Sequence, residues 1–110
     1  MKYHNKPSQV GEEKYRSQHE AKCHARLTIH QRIGLIAGLT REVPFVLAPK
    51  VKIEGEKRAR PALRYVADFV YSDVETGKIV VADAKGMQTP VYRLKKHLMK
   101  TIHNIDVVEL

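Results

Sequence analysis

Hydrophobic and polar positions near the middle of the chain predict two β-strands joined by a short turn. Residues 65–71 and 78–85 are rich in β-branched and aromatic side chains, and the turn formers of residues 72–77 separate them. Two such runs so closely joined are typical of an antiparallel hairpin. If the turn is centred between residues 75 and 76, Asp68 and Asp83 lie opposite each other on one face of the hairpin. Lys85, two residues further on, shares that face.

This opposition makes Asp68 and Asp83 the candidate functional pair. Like charges directly opposed in a sheet destabilise it unless a cation lies between them. Carboxylate oxygens are preferred ligands of Mg²⁺ and Mn²⁺, which also accept phosphate oxygens. A purely structural alternative is a salt bridge from Asp68 to Lys85 or Arg64. Lys85 has two open roles, as a cation that stabilises charge on a reacting phosphate or as a structural counter-ion for the aspartates.

The other patterns predict a single α/β domain over residues 1–110, with elements in the order α-β-β-β-α-β. Ser17 and Glu20 form a capping-box signature, so a helix is expected from residue 18. Residues 42–51 contain prolines and predict an edge strand. Thr89 and Pro90 predict the start of a second helix that ends at Asn104. Residues 105–110 predict a last short strand, which makes a mixed central sheet flanked by helices. The apolar stripe expected on the second helix consists of Val91, Leu94, Leu98 and Ile102.

Composition indicates a polyanionic partner. Twenty Lys and Arg stand against 12 Asp and Glu, which gives a net charge of +8 at pH 7, and nucleic acid is the first candidate for such a chain. A single cysteine excludes an internal disulfide and is compatible with a reducing compartment. No stretch approaches the ~20 apolar residues of a membrane span.

Several basic and polar side chains are candidate nucleic-acid contacts. Residues 1–16 form either a basic arm that contacts DNA or a frayed, solvated terminus. The start of the second helix offers free amides suited to a phosphate, and its basic side chains are either phosphate contacts or a solvated helix face. The candidates are Lys2, Lys6, Arg16, Gln88, Thr89, Tyr92, Arg93, Lys96 and Lys100. A zinc site at His19, Cys23, His24 and His30 is the minor alternative, since structural zinc usually takes four ligands with CxxC-type spacing.

An aspartate followed by Asp83-Ala84-Lys85 on the next strand resembles the PD-(D/E)XK nuclease superfamily. Four segments in order along the chain resemble a family of small phage proteins within it: Lys2-Tyr3-His4-Asn5-Lys6, Ser17-Gln18-His19-Glu20-Ala21, Tyr65-Val66-Ala67-Asp68-Phe69 and Asp83-Ala84-Lys85-Gly86. The resemblance implies a restriction-endonuclease-like core and a Mg²⁺- or Mn²⁺-dependent DNA endonuclease. It also implies action on branched or duplex DNA, such as a Holliday junction in phage recombination or replication, in the cytoplasm of a host bacterium.

The resemblance also extends the set of site residues. It makes the main-chain carbonyl of Ala84 a metal ligand beside Asp68 and Asp83. It places a catalytic glutamate on the first helix at Glu20, which competes with the capping role of the same side chain. Symmetrical cutting of two strands calls for two sites, so a homodimer is expected. The alternative function is a basic nucleic-acid-binding module without catalysis, in which the nuclease fold is idle.

Overall fold

The structure, a computed structural model, describes residues 8–10, 13–85 and 88–110. Eight elements follow one another: β1 (Ser8–Val10), β2 (Glu13–Tyr15), α1 (Gln18–Arg32), β3 (Ile36–Ala48), β4 (Leu63–Asp73), β5 (Ile79–Asp83), α2 (Pro90–His103) and β6 (Val108–Glu109). From α1 onward the order is the predicted α-β-β-β-α-β. The additional β1–β2 hairpin occupies a stretch in which the sequence pattern predicts no strand. No helix in the described ranges is long and apolar enough to cross a membrane.

Both helices begin at the residues that the capping patterns predict. Ser17 is the N-cap of α1, and its hydroxyl accepts a hydrogen bond of 3.2 Å from the amide of Glu20. Thr89 caps α2 in the same way, with Pro90 as the first helical residue. Asn104 ends α2 in the left-handed conformation (φ 56°), which asparagine tolerates better than most residues. These local predictions are confirmed because each depends on side chains within one turn of the helix end.

The central sheet is mixed and has the strand order β3-β4-β5-β6. The pairs β3–β4 and β4–β5 are antiparallel, whereas β5–β6 is parallel. Strand β3 lies at the edge, as its proline predicts. Phe69 pairs with Ala82 and Val70 with Val81, so the next position along the same register sets Asp68 against Asp83. The predicted hairpin register is therefore confirmed.

Two hydrophobic clusters hold the helices on opposite faces of the sheet. Cys23 and Leu27 of α1 pack with Ala82, while Met99 of α2 packs with Val81. Successive residues of a strand point to opposite faces, so neighbours on β5 serve different clusters. The result is a helix–sheet–helix arrangement, with the paired aspartates at the end of the β4–β5 ladder.

Strand β4 breaks its alternation at Asp68. Ala67 belongs to the α2-side cluster and Phe69 to the α1-side cluster, although residues two apart share a face of a regular strand. On β3, Glu42 falls between the partners of these two residues and has a positive φ of 54°. Backbone of this kind is costly for a residue other than glycine. The irregularity therefore coincides with the site on both strands.

The apolar stripe predicted for α2 is confirmed at Leu98, which packs against the core, and is wrong at its other three positions. Val91, Leu94 and Ile102 are 61%, 59% and 49% exposed, whereas Tyr92 and Met99 are buried. The helix is rotated because the long side chains of Tyr92 and Met99 fill the space above the sheet. The phenol can be buried because its hydroxyl donates to the carboxylate of Glu109 at 3.1 Å.

Candidate metal and nucleic-acid site

Asp68 and Asp83 bind each other's strand through reciprocal hydrogen bonds. The amide of Asp68 donates to Oδ1 of Asp83 at 2.9 Å, and the amide of Ala84 donates to Oδ2 of Asp68 at 2.9 Å. These two side-chain hydrogen bonds thus replace the backbone hydrogen bonds between β4 and β5 at the end where the two strands separate. Both carboxylates are buried, with Asp68 4% and Asp83 2% exposed. The backbone itself fixes their orientation, which is the rigid support that a metal or catalytic site needs.

Asp83 has a further partner that the sequence analysis missed. The hydroxyl of buried Tyr65 donates to Oδ2 of Asp83. Burial and this bond to a carboxylate both raise the pKa of the Tyr65 phenol well above its usual range. Tyr65 therefore remains a hydrogen-bond donor at any physiological pH. The sequence did not indicate this bond, because in a regular strand Tyr65, three residues before Asp68, would lie on the opposite face of the sheet. The bond forms because β4 changes face at Asp68.

Asp68 keeps one carboxylate oxygen without a hydrogen bond among the described residues. This oxygen, Oδ1, is buried, and the guanidinium of Arg16 lies 3.8 Å from it. Burial raises the pKa of Asp68 to about 7, with smaller contributions from the charges of Asp83 and Glu20 and an opposing one from the amide of Ala84. A buried oxygen without a hydrogen bond lowers the stability of the folded protein. A proton or a cation bound at Asp68 would remove this cost. The partner of Asp68 is Arg16, and neither Lys85 nor Arg64 forms a salt bridge with it.

Glu20 is buried on α1 and already engaged on both oxygens. Its Oε1 accepts from the amide of Arg16 at 2.8 Å, and its Oε2 lies 3.3 Å from Nη2 of Arg41. Glu20 thus bonds to the amide of Arg16, whereas in a standard capping box it would bond to the amide of the N-cap residue, Ser17. Glu20 contributes to the raised pKa of Asp68, which places the two carboxylates close enough to interact. Arg41, which also lies over the ring of Tyr15 at 4.3 Å, is a second residue that the sequence analysis missed.

Lys85 lies in a basic pocket next to Asp83. The ammonium of Lys85 is 5.2 Å from the centre of the Tyr92 ring, a geometry that permits a cation–π attraction. The pocket has a volume of about 260 Å³, and among the described residues four cationic side chains contribute to its lining: Arg16, Arg64, Lys85 and Lys95. Thr89 and Tyr92 from the start of α2 also line it. The acidic pair and a concentrated positive charge therefore occupy adjacent positions.

Four of the other predicted nucleic-acid contacts do not line this pocket: Gln88, Arg93, Lys96 and Lys100. Gln88 and Lys96 bond to the carboxylate of Glu109 at 2.7 and 2.8 Å, and Lys100 bonds to Asp106 at 2.8 Å. Arg93 is exposed and lines a different groove of α2 together with Lys96 and Lys100. Lys2 and Lys6 lie outside the described residues. The predicted surface is therefore divided between the two flanks of α2.

A family match covers nearly the whole chain and decides its classification. The family described as "Protein of unknown function (DUF1064)" matches residues 1–107. The chain belongs to the DUF1064 family. No curated protein and no solved structure matches it.

The acidic pair fits a hard divalent cation in its number of ligands. No three His, Cys, Asp or Glu side chains gather into a metal-binding group among residues 8–10, 13–85 and 88–110. Magnesium commonly takes only one or two carboxylates and completes its shell with water and substrate phosphate. The buried Oδ1 of Asp68, which accepts no hydrogen bond among the described residues, supplies an oxygen of the right kind. For the alternative zinc site, the structure gives two contacts of His19. Its imidazole bonds to the carbonyl of Leu110 at 2.9 Å and lies 3.8 Å from the thiol of Cys23.

Proposed function

We propose that this DUF1064 chain is a metal-dependent endonuclease that hydrolyses phosphodiester bonds in DNA. The observation that carries the proposal is the buried pair Asp68–Asp83, in which each side chain accepts from the backbone of the other strand and Oδ1 of Asp68 accepts no hydrogen bond among the described residues. A pocket lined by four cations lies beside it. A buried carboxylate with a raised pKa, here Asp68, is typical of functional sites when it lies next to a basic cleft. The mixed sheet between two helices is compatible with a restriction-endonuclease-like core, which forms part of the proposal.

Asp68 and Asp83 would hold Mg²⁺ or Mn²⁺ in this proposal, together with the main-chain carbonyl of Ala84. A bound cation of this type acts as a Lewis acid on a phosphoryl oxygen and lowers the pKa of water. The chain's own residues supply the rest. Tyr65 fixes the carboxylate of Asp83, and Lys85 places a positive charge beside the pocket, where it stabilises charge that develops on the phosphate. Glu20 acts next to Asp68, either as a further ligand or, as its bonds to Arg16 and Arg41 favour, through its charge.

A nucleic-acid-binding module with an idle site is the second candidate. The observation that favours it is that cations already accompany the acidic residues: Arg16 lies 3.8 Å from Asp68 and Arg41 lies 3.3 Å from Glu20. Such a module would bind DNA with a steep salt dependence and without any metal requirement. A metal titration separates the two functions, because only the nuclease needs the cation.

The proposed substrate is branched or duplex DNA, and the proposed assembly is a homodimer. Symmetrical cutting of two strands at a Holliday junction needs two active sites, which a twofold dimer supplies. Val91, Leu94 and Ile102 on α2 are exposed apolar side chains that a second copy of the chain would cover. The cytoplasm of a phage-infected bacterium is the corresponding compartment.

Cleavage of labelled DNA tests the function. The wild type is compared with Asp83→Asn, in which the side chain keeps its size and one acceptor, in Mg²⁺ and in EDTA. Asp106→Asn is the matched control, because Asp106 is an exposed carboxylate paired with Lys100 on the surface. We expect cutting by the wild type and by the control in Mg²⁺ only, and loss of cutting in Asp83→Asn. Equal cutting by the wild type and Asp83→Asn would remove the assignment.

A four-way junction and a linear duplex of matched sequence, run in parallel, test the substrate. Preference for the junction supports the branched-DNA proposal. Preference for the linear duplex removes that part and leaves the nuclease intact.

A further inference from the structure

Basic side chains on the two flanks of α2 differ in their partners. On one flank of α2, Lys96 and Lys100 are bonded to Glu109 and Asp106. On the other flank, Arg64 and Lys95 line the pocket beside Asp83, and neither has an ion pair among residues 14–85 and 88–110. A cation that forms no ion pair within the chain is available to bind an anionic ligand. A paired cation must first break its ion pair.

The pocket has the chemistry of a phosphate site. Among the described residues, it brings together cations from four parts of the chain: Arg16 from the segment before α1, Arg64 from β4, Lys85 from the segment after β5, and Lys95 from α2. Converging cations with low-dielectric walls focus the field and raise the local concentration of anions. The walls are partly apolar, with Tyr65 and Tyr92 among them. Arg64 provides a planar fork of donors that suits a phosphate.

The size of the pocket favours a polymer over a free metabolite. Its volume of about 260 Å³ is below the roughly 300–1,000 Å³ of typical small-molecule sites. Such a space fits a backbone phosphate with part of its sugar, while the remainder of the strand continues over the surface. The exposed edge of the pocket at Arg64 and Lys85 allows the strand to continue.

We propose that Arg64 and Lys95, beside Lys85, bind a phosphate of the nucleic-acid backbone in this pocket. The inference rests on the proposed function and sets the path of the strand. The nucleic-acid strand passes Asp83 along the flank of α2 that faces β4. It does not run along the flank that carries Arg93, Lys96 and Lys100. Arg64 and Lys95 are binding residues, so their loss weakens affinity and leaves the acidic pair unchanged.

The test is the salt dependence of DNA binding in EDTA, where no cleavage occurs. Arg64→Gln and Lys95→Gln remove the charge and keep most of each aliphatic stem, so the fold is retained. Each loss of one phosphate contact lowers the slope of log affinity against log salt by about 0.9 on duplex DNA. We expect the double variant to lose roughly two in slope. Arg93→Gln and Lys100→Gln are the matched controls, and we expect both to keep the wild-type slope.

Three results would overturn the inference or its basis. A wild-type slope in the double variant, with a reduced slope in the controls, would place the strand on the opposite flank of α2 and leave the nuclease proposal intact. Equal reductions in all four variants would show a diffuse charge effect and overturn the pocket as a site. Absence of any salt-dependent DNA binding by the wild type would overturn the proposed function together with the inference. Circular dichroism of each variant confirms that its fold is retained.

Discussion

Asp68→Asn removes the charge of the most perturbed carboxylate while keeping its shape. Burial raises the pKa of Asp68 from 3.8 to about 7 in the folded, metal-free protein. Between those two pH values the folded state holds a proton that the unfolded chain has lost. Stability therefore falls as the pH rises through this window, by about 1.4 kcal/mol for each pH unit. The whole window is worth roughly 4 kcal/mol, and an asparagine at this position contributes none of it.

Urea unfolding in EDTA at pH values from 4 to 8 measures this effect. The wild type and Asp68→Asn share their other titrating groups, so the difference between their unfolding free energies isolates Asp68. We expect Asp68→Asn to gain stability relative to the wild type as the pH rises, by a few kcal/mol in total. Asp106→Asn serves as the control, because Asp106 is 80% exposed.

Metal provides the second half of the same prediction. At pH 7.5 a cation that binds only the folded state at 100 times its Kd stabilises it by about 2.7 kcal/mol. We expect Mg²⁺ to stabilise the wild type and to have no such effect on Asp68→Asn. A difference between the two proteins that stays constant from pH 4 to pH 8 would refute the burial argument for Asp68.

Three further predictions follow from neighbouring groups. Lys85→Ala is expected to lower turnover on the order of 10²–10³, about 2.7–4 kcal/mol in the barrier, with metal affinity unchanged by calorimetry; full activity at saturating Mg²⁺ would limit Lys85 to a structural role. Tyr65→Phe removes the donor to Asp83 and is expected to cost about 1.5–3 kcal/mol in unfolding free energy; an unchanged urea midpoint would contradict that bond. Light scattering is expected to give twice the chain mass of 12.6 kDa, and a monomer mass at all concentrations would exclude the dimer.

The hairpin and both helix starts could be predicted because short-range signals determine them. Turn formers between two β-rich runs set the register that brings Asp68 opposite Asp83, and Ser17 and Thr89 cap the helices through bonds within one turn. These features need no knowledge of the rest of the fold. The acidic pair, which depends only on the register, was predictable for the same reason.

Features that depend on tertiary packing were not predictable from the pattern. The periodicity of α2 favoured Val91 and Leu94 as buried, but the helix instead buries Tyr92 and Met99. Tyr65 reaches Asp83, and Arg41 reaches Glu20 from β3, because strand β4 changes face at Asp68 and the sheet brings β3 beneath α1. Sequence spacing carries no signal for contacts of this kind, since each joins different elements.

Crystals grown with Mn²⁺ provide the most direct test of the central claim that Asp68 and Asp83 form a metal site. Anomalous scattering locates the ion independently of any activity. The account predicts a peak about 2–2.5 Å from Oδ1 of Asp68 and in contact with the carboxylate of Asp83, with Arg16 moved away from its present position 3.8 Å from Asp68. No peak at this pair in millimolar Mn²⁺, with Arg16 still beside Asp68, would contradict the account and favour the idle binding module.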